Sequence, residues 1–241
     1  MTSPVTSSVD ALDAALSAPR GGTIEALAQC PGDLVILGAG GKMGPTLARM
    51  ARRAATVADG SPFRRVIAVS RFSASDCERL MNSVGVETIC CDLLDRDAVR
   101  ALPDAPNVIF MAGQKFGTTD APERTWLMNV VVPAICAERY ASSRIVAFST
   151  GNVYPLTPVS SGGACETDVT GPVGEYAASC LGRERIFEGV ALRGARVTIL
   201  RLNYAIDLRY GVLADLANRI MAGAPISLAM GFVNVDRKSV V

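Results

Sequence analysis

Acid–base chemistry in this chain has to come from tyrosine, cysteine, lysine or carboxylate side chains, because the sequence of 241 residues contains no histidine. That absence excludes Ser-His-Asp and Cys-His nucleophilic catalysis, HExxH metal sites and haem ligation by histidine. Lysine is scarce as well: among 24 basic residues the lysines are Lys42, Lys115 and Lys238. The positions of Lys42 and Lys115 are therefore informative.

A glycine-rich segment, Gly38-Ala39-Gly40-Gly41-Lys42-Met43-Gly44, separates an apolar run from a helical pattern. Its GxxGxxG spacing allows a tight turn, close backbone approach to a pyrophosphate, and close packing of helix on strand. The N–H groups that open the helix would then face the phosphates. The segment predicts dinucleotide binding, although a plain glycine-rich turn is the alternative. The expected cofactor-binding residues are Gly38, Gly40, Gly41, Lys42, Met43 and Gly44.

The end of the second predicted strand indicates which dinucleotide is bound. An acidic residue there binds the ribose 2′-OH of NAD, whereas a nearby arginine accommodates the 2′-phosphate of NADP. This chain has Ser70-Arg71 and no acid at that point, and Lys42 adds a second cation. The sequence therefore favours NADP, with NAD as the alternative. After the third strand, Asp92 and Leu93 are placed to contact the adenine.

Apolar runs and helical patterns alternate along most of the chain. Predicted strands begin near residues 34, 65, 86, 107, 144 and 195, with helices over 43–55, 73–83, 95–102, 122–140 and 174–190. This alternation predicts an α/β fold, a Rossmann-like doubly wound parallel sheet. We expect an N-terminal extension over 1–31, a dinucleotide-binding domain over 32–203 and an incomplete C-terminal substrate lobe from 204 to 235.

Composition limits the classes of partner. A formal net charge of +1 provides no basic surface for nucleic acid or anionic membranes, and no apolar run is long enough for a membrane span. The seven cysteines form no CxxC pair, which favours a reducing cytoplasm and argues against a zinc ribbon. No metal site is expected. The expected partners are a small-molecule substrate and a second copy of the chain, in a homodimer.

Several motifs together resemble the extended short-chain dehydrogenase/reductases of the NAD-dependent epimerase/dehydratase group. Beyond the glycine segment, Thr150-Gly151-Asn152-Val153-Tyr154 matches the family's Ser/Thr–x–x–Val–Tyr element, and Gly174-Glu175-Tyr176 matches the start of its catalytic helix. Arg201-Leu202-Asn203 and Gly223-Ala224-Pro225-Ile226 are similar to its substrate-side segments. The resemblance implies catalysis by Tyr176 and Thr150, and substrate contacts from Arg201 and Asn203. It also implies cofactor contacts from Ala112, Gly113, Asn129 and Cys180.

The chain departs from the family's YxxxK pattern, because the fourth residue after Tyr176 is Cys180. The missing ammonium would lower the pKa of the tyrosine and hold the nicotinamide ribose. Lys115, after the fourth strand, is the favoured substitute and the third expected catalytic residue. Arg183, one turn beyond Cys180, is a weaker candidate because guanidinium is bulky. Chemistry that needs less tyrosinate is a further alternative.

The resemblance implies NAD(P)-dependent epimerisation, dehydration or reduction, by hydride transfer at a hydroxyl-bearing carbon of a sugar-like or other small substrate. A non-catalytic NAD(P)-binding protein, a sensor or scaffold, is the alternative, as is an inactive gene fragment. The last residues, Asp236-Arg237-Lys238-Ser239-Val240-Val241, translate GATCGGAAGAGCGTCGTG, a common sequencing-adapter sequence. We therefore expect 236–241 to be a non-native tail on a truncated reading frame.

Overall fold

The computed structural model describes residues 8–59, 64–73, 75–115, 120–205, 207–228 and 235–236. Most of the segment 229–241, including all but one residue of the expected tail, lies outside this description. The helices are α1 (Val9–Leu16), α2 (Gly21–Gln29), α3 (Gly44–Asp59), α4 (Ser75–Ser83), α5 (Arg96–Arg100), α6 (Pro122–Trp126), α7 (Val132–Arg139), α8 (Gly174–Ala191) and α9 (Val212–Met221). The strands are β1 (Leu34–Leu37), β2 (Val66–Ser70), β3 (Glu87–Cys90), β4 (Asn107–Phe110), β5 (Arg144–Thr150), β6 (Arg196–Leu202), β7 (Tyr204–Ala205) and β8 (Val235–Asp236).

Six strands form one parallel sheet in the order β3-β2-β1-β4-β5-β6. Strand β1 lies at the point where the strand order reverses, and its four residues Leu34–Leu37 are all buried. An apolar run without alternation suits this position because helices cover both faces of the sheet. The predicted doubly wound Rossmann-like fold is confirmed, and ligands in such sheets bind at this reversal.

Two apolar cores cover the two faces of the sheet. On one face Phe110 packs against Phe187 of α8, with ring centroids 5.2 Å apart, among residues of α5 and α7. On the other face α3 and α4 pack against β1 and β2, and Leu27 of α2 joins this cluster. Within the described residues, no helix is long and apolar enough to cross a membrane.

The predicted helix over 122–140 is divided by a π-helical turn at Leu127–Val131, between α6 and α7. Pro133 explains the change. A proline has no N–H to bond the carbonyl four residues earlier, here that of Asn129, and its ring would collide with that carbonyl in a regular α-helix. Widening the turn by one residue removes the collision and keeps the chain helical.

Arginine side chains of α3 and of two later segments hold the two N-terminal helices in place. Arg53 Nη1 donates to the carbonyl of Ala14 at 2.8 Å and to Ser17 Oγ at 3.0 Å. Arg64 Nη1 donates to the carbonyl of Leu27 at 2.8 Å. Arg209, far along the chain, forms an ion pair with Asp13. The described part of the extension is therefore held against the helix that follows the glycine segment.

Candidate functional site

The glycine segment forms the turn between β1 and α3, and its glycines have different steric reasons to be there. Gly38 has a φ of +89°, and a Cβ there would lie 2.5 Å from the backbone nitrogen of Ala112. A Cβ on Gly44 would lie 2.0 Å from the carbonyl oxygen of Ala39. A Cβ on Gly40 would lie 2.4 Å from Ser70 Oγ, whereas one on Gly41 would meet only the Gly38 carbonyl oxygen at 3.7 Å. Gly38, Gly40 and Gly44 thus allow close packing, and Gly41 leaves open space above the turn.

That open space belongs to a crevice of about 270 Å³ at the carboxyl ends of β1, β4 and β5. Predicted site residues that line it are Gly38, Gly41, Lys42, Met43, Gly113, Lys115 and Tyr176. Arg183, the weaker candidate for the missing cation, also lines it. The remaining lining residues were not assigned to the site from the sequence: Met111, Gln114, Phe148, Ser149 and Leu202. Met111, Gln114, Phe148 and Ser149 lie at or just beyond the carboxyl ends of β4 and β5, which is the signal that could have found them.

Tyr176, in the first turn of α8, has Thr150 and Cys180 as close polar neighbours that influence its ionisation. Burial and the neighbouring Cys180 thiol raise its pKa to about 12, although Thr150 and the positive charge of Arg183 act in the opposite direction. Thr150 ends β5, and its Oγ1 also accepts from the Asn152 backbone N–H at 3.2 Å. The structure therefore brings Tyr176, Thr150 and Cys180 together, with the phenol protonated at neutral pH.

Cys180 is buried one turn after Tyr176, facing the same side of α8. Burial raises the pKa of its thiol, while Arg183, Tyr176 and Lys115 lower it and Glu184 raises it further. The thiol is therefore neutral at physiological pH and supplies no positive charge to Tyr176.

Arg183 places a guanidinium in the wall of the crevice. Its Nη2 donates to Asn129 Oδ1 at 2.7 Å, and its Nη1 donates to the carbonyl of Phe148 at 2.9 Å. Gly113 leaves room for this group, since a Cβ there would lie 2.3 Å from Nη2. The side chain is buried, and its Nε has no hydrogen-bond partner among the described residues.

Asn129, in the π-helical turn, stands behind the crevice wall rather than on it. Its amide nitrogen donates to the Gln114 carbonyl and to Ser179 Oγ, both at 3.0 Å, and its Oδ1 accepts from the Gln114 N–H at 2.8 Å. Together with the Arg183 bond, these contacts join the loop after β4 to α8. Asn129 therefore positions the loop and the guanidinium.

The two lysines of the described chain each lie over a tyrosine of the C-terminal segment. Lys115 Nζ is 3.7 Å from the ring centroid of Tyr204, and Lys42 Nζ is 5.2 Å from that of Tyr210. Both lysines line the crevice. Cations over aromatic faces are attracted to the ring quadrupole, so these contacts hold the segment after β6 against the mouth of the crevice.

Arg201 and Asn203 lie beside the crevice at the end of β6. Arg201 Nη2 forms a 2.8 Å ion pair with the buried Glu184, and its Nη1 donates to the Tyr154 hydroxyl at 2.7 Å. Asn203 is exposed and lies against Gly151, where a Cβ would come 2.2 Å from Asn203 Oδ1. The Arg201 guanidinium is thus committed to protein groups, whereas Asn203 is open to solvent.

The residues expected at the adenine end do not line the crevice. Arg71 is exposed just after β2, and Asp92 is exposed with Oδ1 accepting from the Leu94 N–H at 3.0 Å. Leu93 and Ala112 are buried in the core on the α8 side of the sheet. Phe72, buried beside Gly40, has a left-handed φ of +44°, which is uncommon for a bulky residue.

Comparison with known proteins shows similarity of structure. No protein-family model matches the sequence. No curated protein matches it either. A UDP-glucuronic acid 4-epimerase from Bacillus cereus, in complex with UDP-glucuronic acid and NAD, matches with a TM-score of 0.68 and 18% identity over 80% of this chain and 64% of that chain.

Two further solved structures match to a similar degree. The UDP-Glc/GlcNAc 4-epimerase from Campylobacter jejuni has a TM-score of 0.65 at 20% identity, over 81% of this chain and 64% of that chain. MoeE5, in complex with UDP-glucuronic acid and NAD, has a TM-score of 0.64 at 23% identity, over 81% and 63%.

The chain spans less than two thirds of the length of these structures. At identities below 25% the likeness concerns the fold. At that level the comparison agrees with the resemblance inferred from the motifs: the chain has the fold of solved UDP-sugar 4-epimerases.

Proposed function

We propose that the chain binds a nicotinamide dinucleotide in the crevice and belongs to an enzyme that transfers hydride at a hydroxyl-bearing carbon. The observation that carries the proposal is that Tyr176, with Thr150 as its neighbour, lines the same crevice as the glycine turn. The open space above Gly41 fits a pyrophosphate against the start of α3, where helix N–H groups favour anions. The guanidinium group of Arg183 adds a positive charge to the wall of the same crevice.

Tyr176 and Thr150 would act on the oxygen of the substrate. The dinucleotide, when bound, supplies the hydride acceptor or donor. Tyr176 would exchange the hydroxyl proton and Thr150 would hydrogen-bond the same oxygen. Because burial and Cys180 raise the pKa of Tyr176 to about 12, the phenol is protonated at neutral pH and is ready to donate to a carbonyl oxygen. Reduction of a carbonyl therefore suits the resting state of this site better than oxidation of an alcohol.

We propose NADP as the preferred cofactor, with NAD as the alternative. Arg71 follows β2 and Lys42 lies in the glycine turn, so two cations flank the region where a 2′-phosphate is bound in such folds. Solved structures of the same fold contain NAD, which supports a nicotinamide dinucleotide of either kind.

The proposed substrate is a nucleotide sugar. Structures with this fold contain UDP-glucuronic acid together with NAD. In this chain the exposed Asn203 is the proposed substrate contact, and Arg201 is proposed to assist by holding the Tyr154 hydroxyl. Lys115, over Tyr204 at the mouth of the crevice, is a proposed catalytic cation. Its positive charge is close enough to the site to lower the pKa of the Cys180 thiol.

The test is a fluorescence titration with NADPH and NADH, followed by turnover assays on carbonyl compounds and nucleotide sugars. Tyr176→Phe should abolish turnover and leave NADPH affinity within about twofold, since the phenol oxygen is lost but the phosphate cradle is kept. Tyr140→Phe, which removes a buried phenol outside the crevice, is the matched control and should retain turnover. Equal turnover by the wild type and Tyr176→Phe would contradict the assignment of Tyr176.

A non-catalytic dinucleotide-binding protein is the second candidate. The observation that favours it is Cys180, a neutral thiol at the position where the resembled family has a lysine. Tight NADPH binding without turnover of any substrate tested would select this candidate.

A further inference from the structure

Resting on the proposed function, we propose that Arg183 replaces the lysine missing at Cys180 and holds the nicotinamide-riboside end of the dinucleotide beside Tyr176. Arg183 follows Tyr176 by seven residues, two turns of α8, so both side chains are on one face. Helical side chains lean toward the N-terminus, which carries the guanidinium back toward Cys180 and Tyr176. Both Arg183 and Tyr176 line the crevice.

The hydrogen-bonding capacity of the buried Arg183 guanidinium is incompletely satisfied. Arg183 is 7% exposed, and two of its nitrogens are bonded to Asn129 and Phe148 while Nε is not bonded among the described residues. Buried donors in proteins are generally paired, so this guanidinium has hydrogen-bonding capacity that the described residues do not use, in a residue that lines the crevice. The nicotinamide riboside carries hydroxyl and carboxamide oxygens that accept hydrogen bonds.

The charge of Arg183 is not neutralised by a carboxylate in the part of the chain that the structure describes. Among the described residues, no acidic side chain forms an ion pair with Arg183. Its neighbour Glu184 is buried and bound instead to Arg201 and to Ser149 Oγ, the latter at 2.5 Å. The positive charge of Arg183 therefore acts on the crevice, where it lowers the pKa of both Tyr176 and Cys180 against the opposing effect of burial.

The surrounding residues fix the Arg183 guanidinium in place. Asn129 and the Phe148 carbonyl hold two nitrogens, and the guanidinium carbon lies 5.9 Å from the centroid of the Phe110 ring. A glycine is needed at position 113 to leave room for the guanidinium, because a Cβ there would overlap Arg183 Nη2. Lys115, by contrast, is exposed and lies over Tyr204, so its charge is more strongly screened by solvent than that of the buried Arg183.

The test compares affinities for NADPH, NADH and ADP, because ADP lacks the nicotinamide riboside. Arg183→Gln should weaken NADPH and NADH binding about tenfold or more, the worth of a charge-assisted hydrogen bond. Its ADP affinity should stay within about twofold of the wild type. Arg185→Gln, an exposed arginine two residues away that pairs with Glu188, is the matched control and should change neither affinity.

Unchanged NADPH affinity in Arg183→Gln would overturn the proposal, and so would an equal loss of NADPH and ADP binding, which marks a purely structural role. If circular dichroism shows that Arg183→Gln does not fold, Arg183→Lys decides by the same comparison, since it keeps the charge but lacks the planar guanidinium and its several donors. A wild-type protein that binds neither NADPH nor NADH would instead refute the proposed function, on which this inference rests.

Discussion

At the scale of single residues, Gly41 and Gly44 belong to one turn but are glycines for different reasons. A Cβ on Gly44 would overlap the carbonyl oxygen of Ala39, whereas a Cβ on Gly41 would point into the open crevice. Gly44→Ala should therefore lower the free energy of unfolding by about 3 kcal/mol, because helix and strand must move apart. Gly41→Ala should change stability by only about 0.5 kcal/mol and weaken NADPH binding about tenfold or more.

Urea denaturation and NADPH titration of both variants separate the two effects. Each variant serves as the control for the other, since the substitution is the same and the positions are three residues apart. A Gly41→Ala protein that binds NADPH as tightly as the wild type would show that the pyrophosphate lies elsewhere.

At the scale of elements, the six strands of the parallel sheet and the glycine turn were predictable from sequence, whereas the π-helical turn and the short strands β7 and β8 were not. Strand β1 was predicted at its observed ends because four consecutive apolar residues before a glycine suit a strand buried on both faces. The helix over 122–140 was predicted as continuous, because its apolar spacing does not show where one extra residue widens a turn. The position of Pro133 was the available signal.

The π-helical turn contributes to stability because it carries Asn129, which bonds the loop after β4 to α8. Asn129→Ala removes four hydrogen bonds, to the Gln114 backbone, Ser179 and Arg183, and leaves a buried guanidinium less satisfied. We expect the free energy of unfolding to fall by about 3 kcal/mol, which urea denaturation measures. Asn218→Ala, at an exposed position of α9, is the control and should change it by only about 0.5 kcal/mol. If Asn129→Ala lowered the free energy of unfolding by no more than Asn218→Ala does, the loop after β4 would be held by other contacts.

Part of the site could be predicted from the sequence, and part depends on packing that the sequence pattern does not show. Spacing on a helix placed Tyr176 and Cys180 on one face, and the structure brings them together. Arg183 was ranked below Lys115 because guanidinium is bulky, and the space that Gly113 provides for it is not visible in the sequence. Side-chain contacts between distant segments depend on packing, which a pattern of residue types does not contain.

At the scale of the whole molecule, strand–helix alternation was sufficient to predict the doubly wound sheet. The alternation did not predict that the segment after β6 returns to the crevice. There Tyr204 contacts Lys115 and Tyr210 contacts Lys42. Arg209 ties the same segment to Asp13 of the N-terminal extension. These are contacts between parts of the chain about which local periodicity carries no information.

The buried phenols and thiol make the whole molecule sensitive to alkali. Burial raises the pKa of Tyr140 to about 12, as burial and Cys180 do for Tyr176, and burial also raises the pKa of the Cys136 thiol. A group whose pKa is higher in the folded state stabilises the fold below its unfolded pKa, here about 10 for tyrosine. That stabilisation is lost as the pH rises through the folded value, so the relevant window is pH 10 to 12.

Within that window we expect the free energy of unfolding to fall by about 1.4 kcal/mol per pH unit for each buried tyrosine, because the unfolded chain releases a proton that the folded one retains. Tyr140→Phe should therefore have a shallower pH dependence than the wild type, although it is less stable by about 1 kcal/mol at pH 8 from loss of the bond to the Pro103 carbonyl. Urea midpoints from pH 8 to 11 measure both quantities. Since Tyr140 is 1% exposed, parallel curves for the two proteins would mean that its phenol ionises without unfolding, contrary to the packing described for α7.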